Sequence, residues 1–328
     1  MELMTRVETP RCEEGLRHSD GTLVLGSCFA DNIGGRLKDD KFDVVVNPFG
    51  TLYNPASICA HLLRCLSERE YQAGDGELLY SDGLWHSWMH HSTFSDPDRD
   101  ALLARMNEAL HTTAQQLRSA RWLIVTFGTA YTYRLKDSGL LVANCHKQPD
   151  ALFVRQRLAA VDIVDMWTTA LQLLHSVNSG LQVIMTVSPI RHRRDGLHQN
   201  QLSKAELLIA TDQLAGGFNL YFPSYEIMMD ELRDYRYYAD DLVHPSALAV
   251  ELLYERFTHS FVPEQEQRLT EQCRAIRQVL NHRPQNPESP QYRQLIEKQL
   301  QLIQDLQAAH PQLDWQAEIE LCHTRLNR

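Results

Sequence analysis

A serine that follows a short apolar run near the start of the chain is the first residue that could do chemistry. Residues 23–30 read LVLGSCFA, which predicts a strand ending near Gly26 and a helix beginning after Ser27. Such a turn exposes the serine hydroxyl above the carboxyl end of a sheet and directs the N–H of Cys28 toward a developing oxyanion. Serine is also a preferred helix N-cap, so this fragment alone fits a nucleophile or a cap.

An aspartate and a histidine three residues apart, Asp241 and His244, stand just before the helical pattern of residues 247–257. Side chains at this spacing face the same side of a turn. The carboxylate can then accept the Nδ1 proton of the imidazole and leave Nε2 free to take a proton from a serine hydroxyl. The pair alone could cap the following helix, but together with Ser27 it predicts a catalytic triad.

Two other kinds of chemistry compete with this triad. Cys28 is an alternative nucleophile, but the neighbouring side chain at such a turn points elsewhere, and a buried packing cysteine is the commoner case. His86, His90 and His91 suggest a metal, but no acidic or cysteine ligand accompanies them at a useful spacing. We therefore expect no metal and no cofactor.

The elements that would position these residues alternate between short apolar runs and longer amphipathic segments, which is typical of a parallel sheet covered by helices. This alternation predicts a three-layer α/β/α fold. The predicted strands are 23–25, 42–46, 122–126, 183–187 and 219–222, and the predicted helices surround 56–66, 98–117, 161–177 and 203–214. Residues 131–144 alternate across an Asp-Ser-Gly turn, so we expect an excursion hairpin near the carboxyl edge of the sheet.

The composition changes after Phe261 to glutamine, glutamate and arginine, with sparse apolar positions at helical spacing. We therefore predict two domains, residues 1–261 and 262–328, the second being an extension of two or three helices. A packing appendage is favoured over a coiled-coil dimer because the register is short and places Gln299 at a seam position.

Length and composition indicate the cellular compartment of the protein and exclude some classes of binding partner. The 328 residues are 43% hydrophobic, enough for a substantial core, and seven cysteines without a C-x-x-C pair favour a reducing compartment. No signal-like or membrane-spanning apolar run is present, so we expect a cytoplasmic protein without a membrane partner. A formal net charge of -10 disfavours nucleic acid. The basic cluster at 191–194 fits a solvated loop, with a local anion contact left open.

The motif at residues 26–30, GSCFA, resembles the one that names the GSCFA family, and through it the chain resembles the SGNH/GDSL hydrolase superfamily. The resemblance spans roughly residues 20–260. It continues through NPFGTLYNP (47–55), TFGTA (126–130), NCHKQP (144–149), SPIRH (188–192), NQLSK (200–204) and DLVHP (241–245). It implies an SGNH-hydrolase-like, flavodoxin-like fold and a serine hydrolase that acts on ester bonds, with small O-acyl groups, particularly acetyl esters of carbohydrates or related metabolites, as substrates.

The superfamily pattern implies a serine in its first block, a glycine in its second, an asparagine in its third and an Asp-x-x-His in its last, which fall here on Ser27, Gly50, the Gly128 turn, and Asp241 with His244. Besides the triad, it implies an oxyanion hole formed by the N–H groups of Cys28 and Gly50. Many relatives have Gly-x-Asn where this chain has Gly-Thr-Ala at 128–130, so the third donor is either Thr129 or Asn144. His146 follows the predicted hairpin, and Arg191, His192 and His198 follow the fourth predicted strand, so both segments should approach the carboxyl edge of the sheet. We assign these four residues and Asn54 to substrate binding.

Two alternatives to ester hydrolysis follow from the same residues. One is an O-acyltransferase that passes the acyl group to a sugar hydroxyl. The other is a non-catalytic binding or scaffold protein that recruits a partner through its helical tail, because fold alone does not fix function. A complete set of serine, histidine and aspartate favours the enzyme.

Overall fold

The computed structural model describes residues 5–12 and 14–327. It divides into two compact units, which are described separately: the described parts of Met1–Pro10, Gly21–Gly35 and Val44–Phe257 form the first, and those of Arg11–Asp20, Arg36–Asp43 and Thr258–Arg328 form the second. The prediction of a domain boundary at residue 261 stays a prediction.

The elements alternate along the chain as expected for an α/β protein. The strands are β1 (Thr22–Gly26), β2 (Val44–Val46), β3 (Leu78–Ser81), β4 (Leu84–Ser87), β5 (Trp122–Phe127), β6 (Tyr131–Leu135), β7 (Leu141–Val142), β8 (Phe153–Arg157), β9 (Gln182–Val187) and β10 (Asn219–Phe222). The helices are α1 (Cys28–Asp39), α2 (Pro55–Ser67), α3 (Arg99–Ser119), α4 (Ala160–Val177), α5 (Gly196–Leu214), α6 (Ser224–Glu226), α7 (Ala247–Phe261), α8 (Glu264–Asn281), α9 (Pro290–Ala309) and α10 (Gln316–Leu326).

Five parallel strands form the central sheet of the first unit in the order β10-β9-β5-β1-β2. Numbered among themselves along the chain, these strands run 2-1-3-4-5, the order of flavodoxin-like folds. Helices flank the sheet, so the predicted three-layer α/β fold is confirmed. Every residue of β5 is buried, which explains why this strand is a continuous apolar run in the sequence.

The register of the sheet brings the ends of three strands to one edge. Gly26 is paired with Thr126, and Thr126 with Thr186, so β1, β5 and β9 end side by side. The segments that follow these strands therefore begin next to one another. This is the edge at which open α/β sheets bind their ligands.

Two small antiparallel sheets supplement the core of the first unit. The hairpin expected within residues 131–144 is present as β6 and β7, but β8 also joins β6 and makes a sheet of three strands. The sequence patterns predicted neither β8 nor the β3–β4 hairpin. Both have largely exposed or half-buried residues, which lack the apolar alternation of a core strand.

The second unit has its own apolar core, provided by α8, α9 and α10. Ile303, Trp315 and Cys322 are fully buried in it. The carboxylate of Asp40 is also buried, and it accepts hydrogen bonds from Nε and Nη2 of Arg274. None of the helices in residues 5–12 and 14–327 combines the length and apolar character that crossing a membrane requires.

Candidate active site

Ser27 lies at the turn between β1 and α1. Gly26 has φ of +137°, and a Cβ atom there would come within 2.2 Å of the Thr126 carbonyl oxygen, so only glycine fits. The Ser27 N–H points toward Thr126, at 3.0 Å from its Oγ1 and 3.2 Å from its carbonyl oxygen. The backbone of the turn is therefore fixed to the end of β5.

The Ser27 hydroxyl is both a cap and a cavity-lining group. It accepts a hydrogen bond from the Phe29 N–H at 3.3 Å and lies 3.2 Å from Thr126 Oγ1. The residue is almost fully buried, yet it lines a cavity of about 420 Å³. The two interpretations of this serine, nucleophile and N-cap, are thus geometrically compatible.

Asp241 and His244 form a close pair on the loop before α7. Oδ2 of Asp241 accepts a hydrogen bond from Nδ1 of His244 at 2.6 Å, while Oδ1 accepts the N–H groups of Val243 and His244, both at 2.9 Å. These bonds, led by the one from the His244 N–H, hold the pKa of Asp241 well below its usual range. Leu242, inside the loop, has φ of +59°, a strained value for a branched residue.

The cavity brings together most of the residues expected from the sequence. Ser27 and His244 both line it. In the described part of the chain no hydrogen bond joins these two side chains, so proton transfer requires an approach on substrate binding, as is common in apo active sites. The other predicted residues in the lining are Cys28, Asn54, Thr129, Arg191 and His192.

Five predicted site residues lie outside the lining of this cavity: Asp241, which is hydrogen-bonded to the lining residue His244, and Gly50, Asn144, His146 and His198. The Gly50 N–H donates to the Asn47 carbonyl at 2.7 Å, so it is not free to bind an oxyanion in this conformation. Asn144 Oδ1 accepts the His146 N–H, and Nε2 of His146 donates to the Ser87 carbonyl. His198 is exposed on α5. Their oxyanion and substrate roles stay predictions without a place in this cavity.

The two candidates for the third oxyanion donor therefore differ in position. Thr129 lines the cavity and Asn144 does not. Oγ1 of Thr129 accepts the Tyr131 N–H at 3.2 Å and lies 3.1 Å from the Ser203 hydroxyl, which in turn accepts the Ala130 N–H at 2.8 Å. A Ser203 hydroxyl that donates to Thr129 would leave the threonine proton free for a ligand.

Asn54 provides a further side-chain donor. Its Oδ1 accepts the Ser57 N–H at 2.8 Å and caps α2, which fixes the orientation of the amide. The NH₂ group is the remaining polar end that Asn54 can offer to the cavity. The sequence analysis assigns Asn54 to substrate binding, and the cap shows which of its atoms is available for that role.

His192 is a second histidine in the cavity lining. Its backbone N–H donates to Asn200 Oδ1 at 2.9 Å, and its buried Nε2 has no hydrogen-bond partner among residues 5–12 and 14–327. Burial, followed by the nearby charge of Lys204, lowers the pKa of His192 to about 4, so the ring is neutral at physiological pH. A Cβ atom at Gly128 would lie 3.3 Å from Ser27 Cβ and 3.5 Å from His192 Nε2, so the three residues converge.

Lys204 is fully buried behind this convergence. Its Nζ donates to the carbonyl oxygens of Gly128 at 2.7 Å and Ser188 at 2.6 Å, which follow β5 and β9. Burial lowers the pKa of Lys204 to about 7. The lysine ties two cavity segments together; it belongs to a quoted motif, but the sequence does not indicate its role.

The sequence missed the aromatic wall of the cavity, which consists of Tyr53, Tyr131 and Tyr133 with Arg155. Tyr133 and Arg155 are register partners across β6 and β8, and Nε of Arg155 donates to the Tyr133 hydroxyl at 2.7 Å. The Arg155 guanidinium also lies 3.7 Å from the centre of the Tyr131 ring. The i, i+2 spacing of the two tyrosines on a strand was the available signal.

The fold and the cavity define an α/β protein with a serine and an aspartate–histidine pair at the carboxyl edge of a parallel sheet. Residues 22–257 match the GSCFA family, and residues 273–328 match the description "GSCFA domain protein, C-terminal domain". The chain therefore belongs to the GSCFA family. A search of curated proteins found no significant match.

Proposed function

We propose that the protein is a serine esterase of the SGNH/GDSL type, which hydrolyses a small O-acyl ester, particularly an acetyl ester of a carbohydrate or related metabolite. The proposal rests on one observation: Ser27 and His244 line the same cavity, and Nδ1 of His244 is hydrogen-bonded to Asp241. A nucleophile, a base and a group that orients the base are the components of serine-dependent acyl transfer.

The first half of the reaction forms an acyl-enzyme. Because Asp241 accepts the Nδ1 proton of His244, the Nε2 atom of His244 is the unprotonated nitrogen of the neutral ring. It takes the proton from Ser27 as Oγ attacks the ester carbonyl carbon. The tetrahedral intermediate then collapses, the ester C–O bond breaks, and the alcohol leaves with the proton from His244.

In this mechanism, three donors in the cavity lining stabilise the oxyanion. Cys28 is the first residue of α1, so its N–H has no acceptor one turn back in the helix. The NH₂ group of Asn54 and the hydroxyl of Thr129 are the side-chain donors. Such donors act in the transition state, where the carbonyl oxygen gains negative charge.

The second half of the reaction uses water as the nucleophile. His244 accepts a proton from water as its oxygen attacks the acyl carbon, and the Ser27 Oγ–acyl bond breaks when the proton returns to Oγ. The sum is ester plus water giving carboxylic acid plus alcohol, and the enzyme is regenerated.

The test combines turnover with covalent labelling of the purified full-length chain. We expect hydrolysis of p-nitrophenyl acetate, a loss of about 10³-fold or more in Ser27→Ala and His244→Ala, and stoichiometric labelling of Ser27 by a fluorophosphonate, located by peptide mapping. Ser138→Ala and His282→Ala change the same residue types at exposed positions and serve as controls.

Two outcomes would contradict the proposal. The first is hydrolysis that both site variants retain at the wild-type rate, and the second is a fluorophosphonate adduct on another residue. Circular dichroism of each variant verifies that lost activity does not reflect lost structure.

The cytoplasmic location predicted from the sequence is part of the same proposal. All seven cysteines are free thiols, including Cys59 and Cys65, which are both buried on α2. Free thiols in this number support a reducing compartment.

A further inference from the structure

The charge of the cavity is opposite in sign to that of the whole chain. Among the described residues, four arginines and one carboxylate, Asp195, line the cavity, although the chain carries a formal net charge of -10. Cationic groups around a concave site raise the local concentration of anionic ligands. The lining arginines are Arg155, Arg191, Arg193 and Arg194.

Two of these arginines are already neutralised within the protein. Arg155 forms an ion pair with Asp195. Arg194 binds Asp150 through both carboxylate oxygens, at 2.6 and 2.7 Å. Paired in this way, they shape the cavity and contribute little net charge to it.

Arg191 and Arg193 have no such carboxylate partner in the described part of the chain. Nη2 of Arg191 donates to the Leu242 carbonyl, and Nη1 of Arg193 lies 3.3 Å from the Asp241 carbonyl oxygen. Nε of Arg191 is buried and has no hydrogen-bond partner among the described residues, and the Arg191 guanidinium lies 4.3 Å from the centre of the Tyr238 ring. Both cations thus retain unused donors and uncompensated charge.

We propose that the ester bound in this cavity carries an anionic group, a carboxylate or a phosphate, that pairs with Arg191 and Arg193. This inference rests on the proposed esterase function and specifies its substrate class. Guanidinium groups bind planar and tetrahedral oxyanions through paired N–H donors, and such charge-assisted bonds are the stronger kind. The carbonyls that hold the two arginines leave their other donors for the ligand.

The same contacts connect the anion subsite to the catalytic base. The carbonyls that accept from Arg193 and Arg191 belong to Asp241 and Leu242, on the loop that ends at His244. Because Leu242 has a strained backbone, this loop depends on the contacts that hold it. An anion bound to the arginines therefore orders the base as well as the substrate.

Matched ester pairs test the charge preference directly. One pair places the anion on the alcohol side, p-acetoxybenzoate against neutral p-acetoxybenzamide, and a second places it on the acyl side, mono-p-nitrophenyl succinate against its methyl ester. We expect the anionic member of at least one pair to have a kcat/KM about 10-fold or more above its neutral partner at low salt. p-Acetoxyphenyl phosphate then distinguishes a phosphate preference from a carboxylate preference.

Charge-removing variants show whether the two arginines cause this ratio. In Arg191→Gln and Arg193→Gln, an amide can still donate to the loop carbonyl, and the anionic-to-neutral ratio should fall toward 1. Arg118→Gln removes the same charge from exposed Arg118, outside the cavity lining, and should keep the ratio. Added salt should lower the wild-type ratio because it screens the attraction.

Direct binding separates failure of this inference from failure of the esterase proposal. Calorimetry of Ser27→Ala with p-acetoxybenzoate measures anion binding without turnover, with p-acetoxybenzamide as the neutral probe. Anion-selective binding that disappears in the double variant Arg191→Gln/Arg193→Gln supports the subsite even if no ester is hydrolysed. Hydrolysis by wild type with equal rates for both members of every pair, and no anion-selective binding, overturns the subsite and leaves the esterase proposal intact.

Discussion

The carboxylate of Asp241 binds both the ring and the backbone of His244. Oδ2 accepts from Nδ1 at 2.6 Å, and Oδ1 accepts from the His244 N–H at 2.9 Å. The backbone bond fixes where the carboxylate sits, and the ring bond fixes which tautomer the imidazole adopts. Both side chains are about half exposed, so the pair gains strength only when a substrate excludes water from it.

Replacing Asp241 with asparagine tests whether the two carboxylate oxygens have these separate roles. The oxygen of the introduced amide can still accept the backbone N–H groups, but its NH₂ group donates toward Nδ1 of His244 and favours the tautomer with a proton on Nε2. We expect kcat for p-nitrophenyl acetate to fall by about 10³- to 10⁴-fold in Asp241→Asn. The matched change Asp240→Asn, at the exposed neighbouring residue, should have little effect. Equal activity in the two variants would remove Asp241 from the mechanism.

Asn54→Ser separates the capping role of Asn54 from its donor role. Serine caps helices about as well as asparagine, so the thermal midpoint should change little. Serine is shorter and lacks the NH₂ group, so we expect kcat to fall by about 10²-fold or more, as is typical when an oxyanion donor is lost. Steady-state kinetics and thermal unfolding of the same preparation measure the two effects. A large loss of stability with kcat unchanged would assign only the cap to Asn54.

Lys204→Met should destabilise the first unit. Methionine has a side chain of similar length, but it leaves the carbonyls of Gly128 and Ser188 without the Nζ donor. We expect this loss to lower the free energy of unfolding by about 2 to 4 kcal/mol. Urea unfolding measures it, with Lys136→Met at an exposed lysine as the control.

The pH dependence of stability gives an independent test of Lys204. Its folded-state pKa of about 7 lies below the ordinary 10.5, so the folded chain binds fewer protons in this interval. Stability from this group is therefore complete above pH 10.5 and is lost as the pH falls toward 7. Lys204→Met should lack this part of the slope, and an unchanged slope would mean that the lysine is charged in the folded chain.

His61 and His90 should make the protein acid-sensitive. Both rings are buried, and burial lowers the pKa of His61 to about 4 and that of His90 well below 6.5. Unfolded histidines take up protons below about pH 6.5, so stability falls as the pH drops from 6.5 to 4, by about 3 kcal/mol for His61 alone. His61→Gln should flatten this slope, whereas His282→Gln, at an exposed site, should not. The unfolding midpoint measured across the window checks both.

The sequence predicts the central sheet well because each of its strands is short and mostly apolar. The predicted segments 122–126 and 183–187 differ from β5 and β9 by one residue each at their ends. By contrast, β8 reads FVRQR and is mostly exposed, so neither alternation nor a buried run marks it. Its strand character comes from pairing with β6, which is a tertiary contact that a local pattern does not contain.

The residues of the candidate site also differ in whether a local sequence pattern indicates them. Ser27, Asp241 and His244 stand in short motifs whose chemistry depends on local spacing, so the sequence indicates them. The cavity positions of Tyr131 and Arg155 depend on a three-stranded sheet that local patterns do not predict. Likewise, the hydrogen bond from the Gly50 N–H to the Asn47 carbonyl depends on the conformation of one turn, which the residue types do not predict.

The second unit consists of segments that lie far apart in the sequence. Its segments 11–20 and 36–43 leave the ribosome early, whereas residues 258–328, which complete the unit, follow more than two hundred residues later. His18, for example, binds Glu266 across 248 positions. During synthesis, the early segments cannot form these contacts until residues 258–328 have been made. Contacts of such long sequence separation also form slowly. We therefore expect the second unit to mature last, and nascent chains stalled before α8 to be the species that need a chaperone.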